Sequence, residues 1–214
     1  NREAKEVAME PLNTDILVRK GLVTEEQLAE ARRQKLTATR RLSDVLVEMG
    51  FLSREQMVEH LFVQLFMRIK EVLEPLRDLE RAIGDLYGAC ANLFHQEEPA
   101  FWAALKEEEE GHAWNIEEMI SIVYARPQVF DLGIPIRKEA IQTFLEGVRA
   151  TRRKIEAGAM TREQVLVAVR DIERGLIESK YFDVLKSEDP DFNRFLRKLR
   201  TETFGHRSRL ENLR

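Results

Sequence analysis

The sequence predicts an all-α protein: a small four-helix repeat module followed by a four-helix bundle with a long helical crossover. Three observations carry that prediction. Charged residues make up 34% and hydrophobic residues 43% of 214, with only 10 Gly and 6 Pro, a balance that favours helices over strands and turns. Helix start and stop signals recur at a fixed offset near the beginning of the chain. Beyond them, apolar residues return at three- and four-residue spacing over long stretches.

The first third holds an internal repeat. DILVRKGLVTEEQLAE (15–30) and DVLVEMGFLSREQMVE (44–59) align without a gap, 29 positions apart. In each, a short helix is expected to close at Gly21 or Gly50, the residue type best suited to a left-handed closing turn. Thr24-x-x-Gln27 and Ser53-x-x-Gln56 then read as capping boxes that open the next helix. One helix pair cannot bury its apolar side, whereas two stacked pairs can, so residues 1–66 are expected to form one module and 67–214 the bundle. The last module helix runs on through LFVQLFMRIKEVLEPLRDLERAIGDLYGACANLF, with Pro75 an expected kink or break. Three further long helices are expected from Pro99 to about Val123, from Thr161 to about Lys186 and from Asp191 to Leu213. Thr161-x-x-Gln164 is a third capping box, and SEDPD (187–191) supplies a turn and an N-cap. The breaker-rich ARPQVFDLGIPIRK reads as a loop, followed by a crossover helix over 138–155 whose basic run, Arg149 to Lys154, is its exposed face.

The stretch KEEEEGHAWN (106–115) raises the question of function, because a glutamate run is usually only a solvated face. Periodicity separates its members. The stripe Phe101, Leu105, Glu109, His112, Ile116, Met119 places Glu109 and His112 within an apolar face, while Glu107 and Glu110 project elsewhere. The preceding helix embeds Glu80 among Leu73, Leu76, Ile83, Tyr87 and Phe94; the third embeds Glu173 among Leu166, Val169 and Leu176. The fourth reads Phe195, Leu199, Thr203, His206, Leu210, Leu213. A carboxylate facing a helical core is costly unless paired or ligated, and carboxylate with imidazole suits iron or manganese. Three-residue spacing puts Glu109 and His112 on one helix face. The order Glu80, Glu109-x-x-His112, Glu173, Thr203-x-x-His206 repeats itself, with 32 and 33 residues from each lone glutamate to the following histidine.

Residues 70–214 thereby resemble the ferritin-like superfamily, nearest in motif layout to the rubrerythrin-type di-iron bundle. LERAIGDLY and EEEEGHA are similar to that family's first and second ligand helices. The resemblance implies two iron ions (manganese or zinc as alternatives) held by Glu80, Glu109, His112, Glu173 and His206, and an activity that oxidises iron or reduces peroxide or oxygen. Glu80 and Glu173 would be terminal ligands, Glu109 the bridge, and each histidine would serve one ion. The sequence departs from the pattern at Thr203, where the second Glu-x-x-His would begin, which implies a weakened second site. Tyr87, Glu202 and Thr203 are therefore candidates for supporting or substitute roles. His60 and His95 have no partner at useful spacing and read as surface or boundary residues.

Residues 12–64 resemble the N-terminal domain of type II secretion and pilus-assembly ATPases, some of which bind cyclic di-GMP. The second repeat retains Arg41, Leu42 and Gln64 of the nucleotide pattern; the first has Leu12 and Lys35 at the Arg and terminal Gln positions, so cyclic di-GMP is not an expected ligand. No P-loop motif is present. The net charge of −4 and the lack of a basic tract argue against nucleic acid. No apolar run reaches the ~18 residues of a membrane span, and the polar start lacks a secretory signal, so the cytoplasm is the expected location. Cys90 stands alone, which excludes an internal disulfide and any Cys-x-x-Cys electron-transfer segment. The expected partners are thus an external electron donor or a protein docked on the amino-terminal module, with a homodimer as the candidate assembly. The alternative function is a metal-free or degenerate ferritin-like scaffold acting as an adaptor or as a cyclic di-GMP-responsive interaction protein.

Overall fold

The computed structural model describes residues 14–35, 42–96, 98–132, 138–178, 183 and 185–213. It is an all-α protein in which every repeated sequence signal takes the expected local form. Helices α1 (Thr14–Arg19) and α3 (Leu42–Glu48) close at Gly21 and Gly50, whose φ values are 66° and 70°. Their amides donate to Val18 and Val47, and the next residues reach back to Leu17 and Leu46, so the carbonyls orphaned at each helix end are satisfied. Helices α2 (Glu25–Gln34) and α4 (Arg54–Arg68) open on reciprocal capping boxes at Thr24/Gln27 and Ser53/Gln56. Leu17, Val23, Leu28, Ala31, Leu42, Leu46, Leu52 and Met57 bury together as one small apolar cluster.

A larger cluster begins on the same helix at Leu65 and extends to Leu210. Between α4 and α5 (Glu74–Leu93) the chain winds as a π-helical turn over Ile69–Leu73. Proline cannot donate to the preceding turn; the helix absorbs Pro75 by this wider turn just before it and continues without a break. Helix α6 (Pro99–Ala125) packs along α5, and α7 (Lys138–Glu156), the crossover helix, covers α5 from another side. Helix α8 (Arg162–Glu178) opens on the Thr161/Gln164 capping box and pairs with α9 (Pro190–Asn212), which also lies against α6. Asp189 caps α9 by accepting from the Asp191 and Phe192 amides at 3.1 and 3.0 Å. At the other end, Arg170 on α8 donates to the Leu210 and Leu213 carbonyls.

Two expectations about this region are corrected. The third long helix ends at Glu178 rather than near Lys186, and the segment read as loop contributes a short strand. β1 (Phe130–Leu132) pairs antiparallel with β2 (Leu185–Ser187), Phe130 opposite Ser187 and Leu132 opposite Leu185. Phe130 is fully buried against Phe192, ring centroids 4.9 Å apart. The strand pair therefore ties the crossover entry to the start of α9. Among the described residues no helix is long and apolar enough to cross a membrane.

Candidate metal centre

Four helices each turn one or more polar side chains into the larger core. Glu80 comes from α5, Glu109 and His112 from α6, Glu173 from α8, and Thr203 and His206 from α9; all are at most 1% exposed. The apolar stripes around them face the same way, which is why the sequence buries these groups. Gly84, one turn beyond Glu80, lets α6 come close at this level: a Cβ there would lie 3.3 Å from the Glu109 Cβ and 3.5 Å from the Lys106 carbonyl oxygen.

Glu109 stands at the middle of the arrangement. Its Oε2 accepts from His112 Nδ1 at 2.9 Å, and its Oε1 lies 2.7 Å from His206 Nδ1. The second contact is not aligned as donor and acceptor, and neither atom has a hydrogen-bond partner among the described residues. Glu80 flanks one side, 3.7 Å from His112 Nδ1, and Glu173 the other, 3.6 Å from His206 Nδ1. Both oxygens of Glu80 and Oε2 of Glu173 are likewise buried without a partner. Tyr87 donates its hydroxyl to the other oxygen of Glu173. The imidazole rings stack nearly parallel, centroids 5.1 Å apart. Ligand atoms of Glu109, His112 and His206 fall within 4.8 Å of one another, a separation at which one cation could engage all three.

The outward-facing ring nitrogens are held as well. His112 Nε2 donates to Glu202 on α9 at 3.0 Å, and His206 Nε2 donates to Glu108 on α6 at 2.8 Å. Each motif helix thus supplies the residue that fixes the other's histidine. Glu202, considered as a substitute ligand, sits on the far side of His112 from the cluster. Thr203, the departure from the motif, donates its hydroxyl to the Leu199 carbonyl at 2.9 Å, a backbone bond within its own helix. Glu108 went unread in the sequence, although positions 108 and 202 both stand one residue ahead of the aligned Glu109 and Thr203. Arg209 grips Glu108 with both terminal nitrogens, at 2.8 and 2.6 Å.

Electrostatics follow from this packing. Burial and the neighbouring Glu109 charge push Glu80 up to about 8. Burial likewise raises Glu173 and opposes ionisation of Glu109, but the two imidazolium groups outweigh it and hold Glu109 far below the usual carboxylate range. Burial disfavours charge on His112 and His206 too, yet the carboxylates around them lift the imidazoles to about 11 and about 10. Burial and the Glu173 charge keep the Tyr87 hydroxyl protonated well beyond its ordinary range. Each raised imidazole keeps a proton on its inward Nδ1, facing Glu109. The donor set fits a borderline divalent ion: carboxylate oxygen with imidazole nitrogen, several atoms of it buried and unpaired.

The remaining sequence candidates lie elsewhere. Leu42 is buried in the small cluster, and Gln64 is buried with its amide 2.5 Å from His60 Nε2. Arg41 lies outside the described residues. His60, read as a surface or boundary residue, is only 2% exposed; the spacing Met57, His60, Gln64 could have revealed it. His95 is exposed, as expected. Asn115, one turn beyond His112, was also missed and is buried with neither side-chain amide atom bonded among the described residues. Comparison with models of protein families, with curated proteins and with solved structures finds no match to this chain.

Proposed function

We propose that this chain is a non-haem metal–carboxylate protein of rubrerythrin type, with iron as its metal and oxygen or peroxide as its oxidant. The observation that supports this reading is the convergence of carboxylate and imidazole groups, each at most 1% exposed, in which both Glu80 oxygens, one oxygen each of Glu109 and Glu173, and His206 Nδ1 have no hydrogen-bond partner among the described residues. Leaving such groups unsatisfied costs roughly 1–3 kcal/mol each, more where they are charged, so a protein that retains several at one point has a use for them. Glu109 would bridge, offering one oxygen toward each inward Nδ1. Glu80 and Glu173 would close the two ends, and His112 and His206 would each give one nitrogen.

Iron held by such donors supplies one-electron redox chemistry, by which iron itself is oxidised or peroxide is reduced. Manganese and zinc suit the same donors. The chain's own residues prepare the place for it. Glu202 and Glu108 anchor the outer ring nitrogens and so aim both Nδ1 atoms inward. Tyr87 orients Glu173 from α5, and the apolar stripes exclude bulk water. With one cysteine, these 214 residues hold no Cys-x-x-Cys segment of their own to pass electrons to the iron.

Metal analysis of protein purified with iron supplied tests the reading, with Glu109→Ala as control. About two irons per chain are expected, as in bundles of this type, falling close to none in the variant. A wild-type protein that is stable, well folded and metal-free would overturn it and leave a helical scaffold.

A further inference from the structure

The two halves of the cluster are not equivalent. Helices α5 and α6, a contacting pair, supply Glu80, Glu109 and His112 between them. Helices α8 and α9 supply Glu173 and His206 and must share Glu109 across the bundle, because Thr203 brings no carboxylate of its own and donates its hydroxyl to the Leu199 carbonyl.

Three further contacts deepen the difference. Among the described residues neither oxygen of Glu80 has a hydrogen-bond partner, whereas one oxygen of Glu173 already accepts from Tyr87. His112 is backed by Glu202, whose carboxylate pairs with no other cationic side chain among the described residues. His206 is backed by Glu108, whose charge Arg209 neutralises through two short contacts. A carboxylate behind a histidine increases its donor strength, and an arginine on that carboxylate takes part of the effect away. The Tyr87 and Arg209 contacts lower the donor power of the α8–α9 half, while Glu202 supports the α5–α6 half.

We infer that the centre fills in order: a first divalent transition-metal ion binds tightly at Glu80, Glu109 and His112, and a second binds more weakly on the Glu173–His206 side. This inference rests on the proposed metal-binding function and adds the order and inequality of its steps. The weaker half is the replaceable one, so the centre would exchange or lose one ion while keeping the other.

The test is an oxygen-free titration of the metal-free full chain with cobalt(II), followed by visible absorption and by native mass spectrometry. Two steps are expected, separated by at least about tenfold in affinity, the scale on which supporting contacts act. Glu80→Gln should abolish the tight step, whereas Glu173→Gln should keep it and remove the weak one. Tyr87→Phe and Arg209→Gln should each strengthen the weak step and leave the tight one in place, a gain that simple structural damage would not produce. Thr203→Glu should bring the two steps together. Two steps of equal affinity, loss of the tight step in Glu173→Gln, or a weak step unmoved in both Tyr87→Phe and Arg209→Gln would overturn the inference while leaving metal binding standing. If a glutamine variant does not fold, the wild-type stoichiometries and the Tyr87 and Arg209 variants still decide. No cobalt bound by folded wild-type protein would defeat the proposed function together with the inference.

Discussion

At His112 both ring nitrogens face carboxylates, Nδ1 toward Glu109 and Nε2 toward Glu202, so a metal-free ring must carry two protons. The same holds in outline at His206. Both imidazoles have folded pKa values, about 11 and about 10, above the ordinary 6.5. Their stabilising contribution is complete below pH 6.5 and is lost as pH rises through about 10 and 11. Glu80, raised from 4.5 to about 8, holds a proton in the fold that the unfolded chain has released, so stability also falls across that interval. Glu109 acts oppositely and only in acid, its contribution being lost as pH falls below 4.5. Thermal melts of the metal-free protein should therefore show a midpoint that drops steadily from pH 6 to pH 9. Adding zinc should flatten the slope, since the ion takes the place of the protons. A midpoint that stays level or rises without metal would contradict this arrangement of charges. At this scale Glu80, Glu109, His112, Glu173 and His206 were legible, because each interrupts an apolar stripe. Glu108 and Glu202 were harder to read: they lie off the stripe and meet the histidines only across a helix pair.

Among the elements, the α5–α6 contact sets the depth at which Glu109 sits. Gly84 has no room for a branched side chain, while Gly111 on α6 has nothing within 4 Å of an added Cβ. Gly84→Val should destabilise the protein by about 1–3 kcal/mol through overpacking and should also weaken metal binding, because α6 must shift at Glu109. Gly111→Ala should stabilise it by about 0.5–1 kcal/mol, the ordinary gain from removing a mid-helix glycine, with metal content unchanged. Denaturant melts and metal analysis of the two variants check both statements; equal responses would mean that the close approach at Gly84 has no special role. Element boundaries were readable wherever the signal was local. The capping boxes at Thr24, Ser53 and Thr161 and the glycine closures at Gly21 and Gly50 all depend on a few adjacent residues. The strand pair was not readable, since three residues on each side find one another across 55 positions, from Phe130–Leu132 to Leu185–Ser187. Nor was the π-turn, which changes helix winding without changing the apolar pattern.

For the whole molecule, α4 carries the end of one apolar cluster and the start of the other, Met57 belonging to the small one and Leu65 to the large. A chain beginning at Ser53 keeps the capping box and all of α4, and it should retain its helicity and metal content. Collapse of the helical signal on removing residues 1–52 would mean that the two clusters stabilise each other. The convergence of four helices on one buried point was anticipated from spacing alone, because 3.6-residue periodicity fixes which side chain faces inward. The pairing of particular atoms was not, because it depends on how far each helix is rotated and displaced against its neighbours.

The central claim is that a cation belongs where these carboxylates and imidazoles meet. Anomalous diffraction at the iron edge, from crystals grown with ferrous iron, tests it most directly. The account predicts strong peaks enclosed by Glu80, Glu109, His112, Glu173 and His206, strongest on the Glu80 side. Density for water alone between those side chains, or iron only at the protein surface, would contradict it.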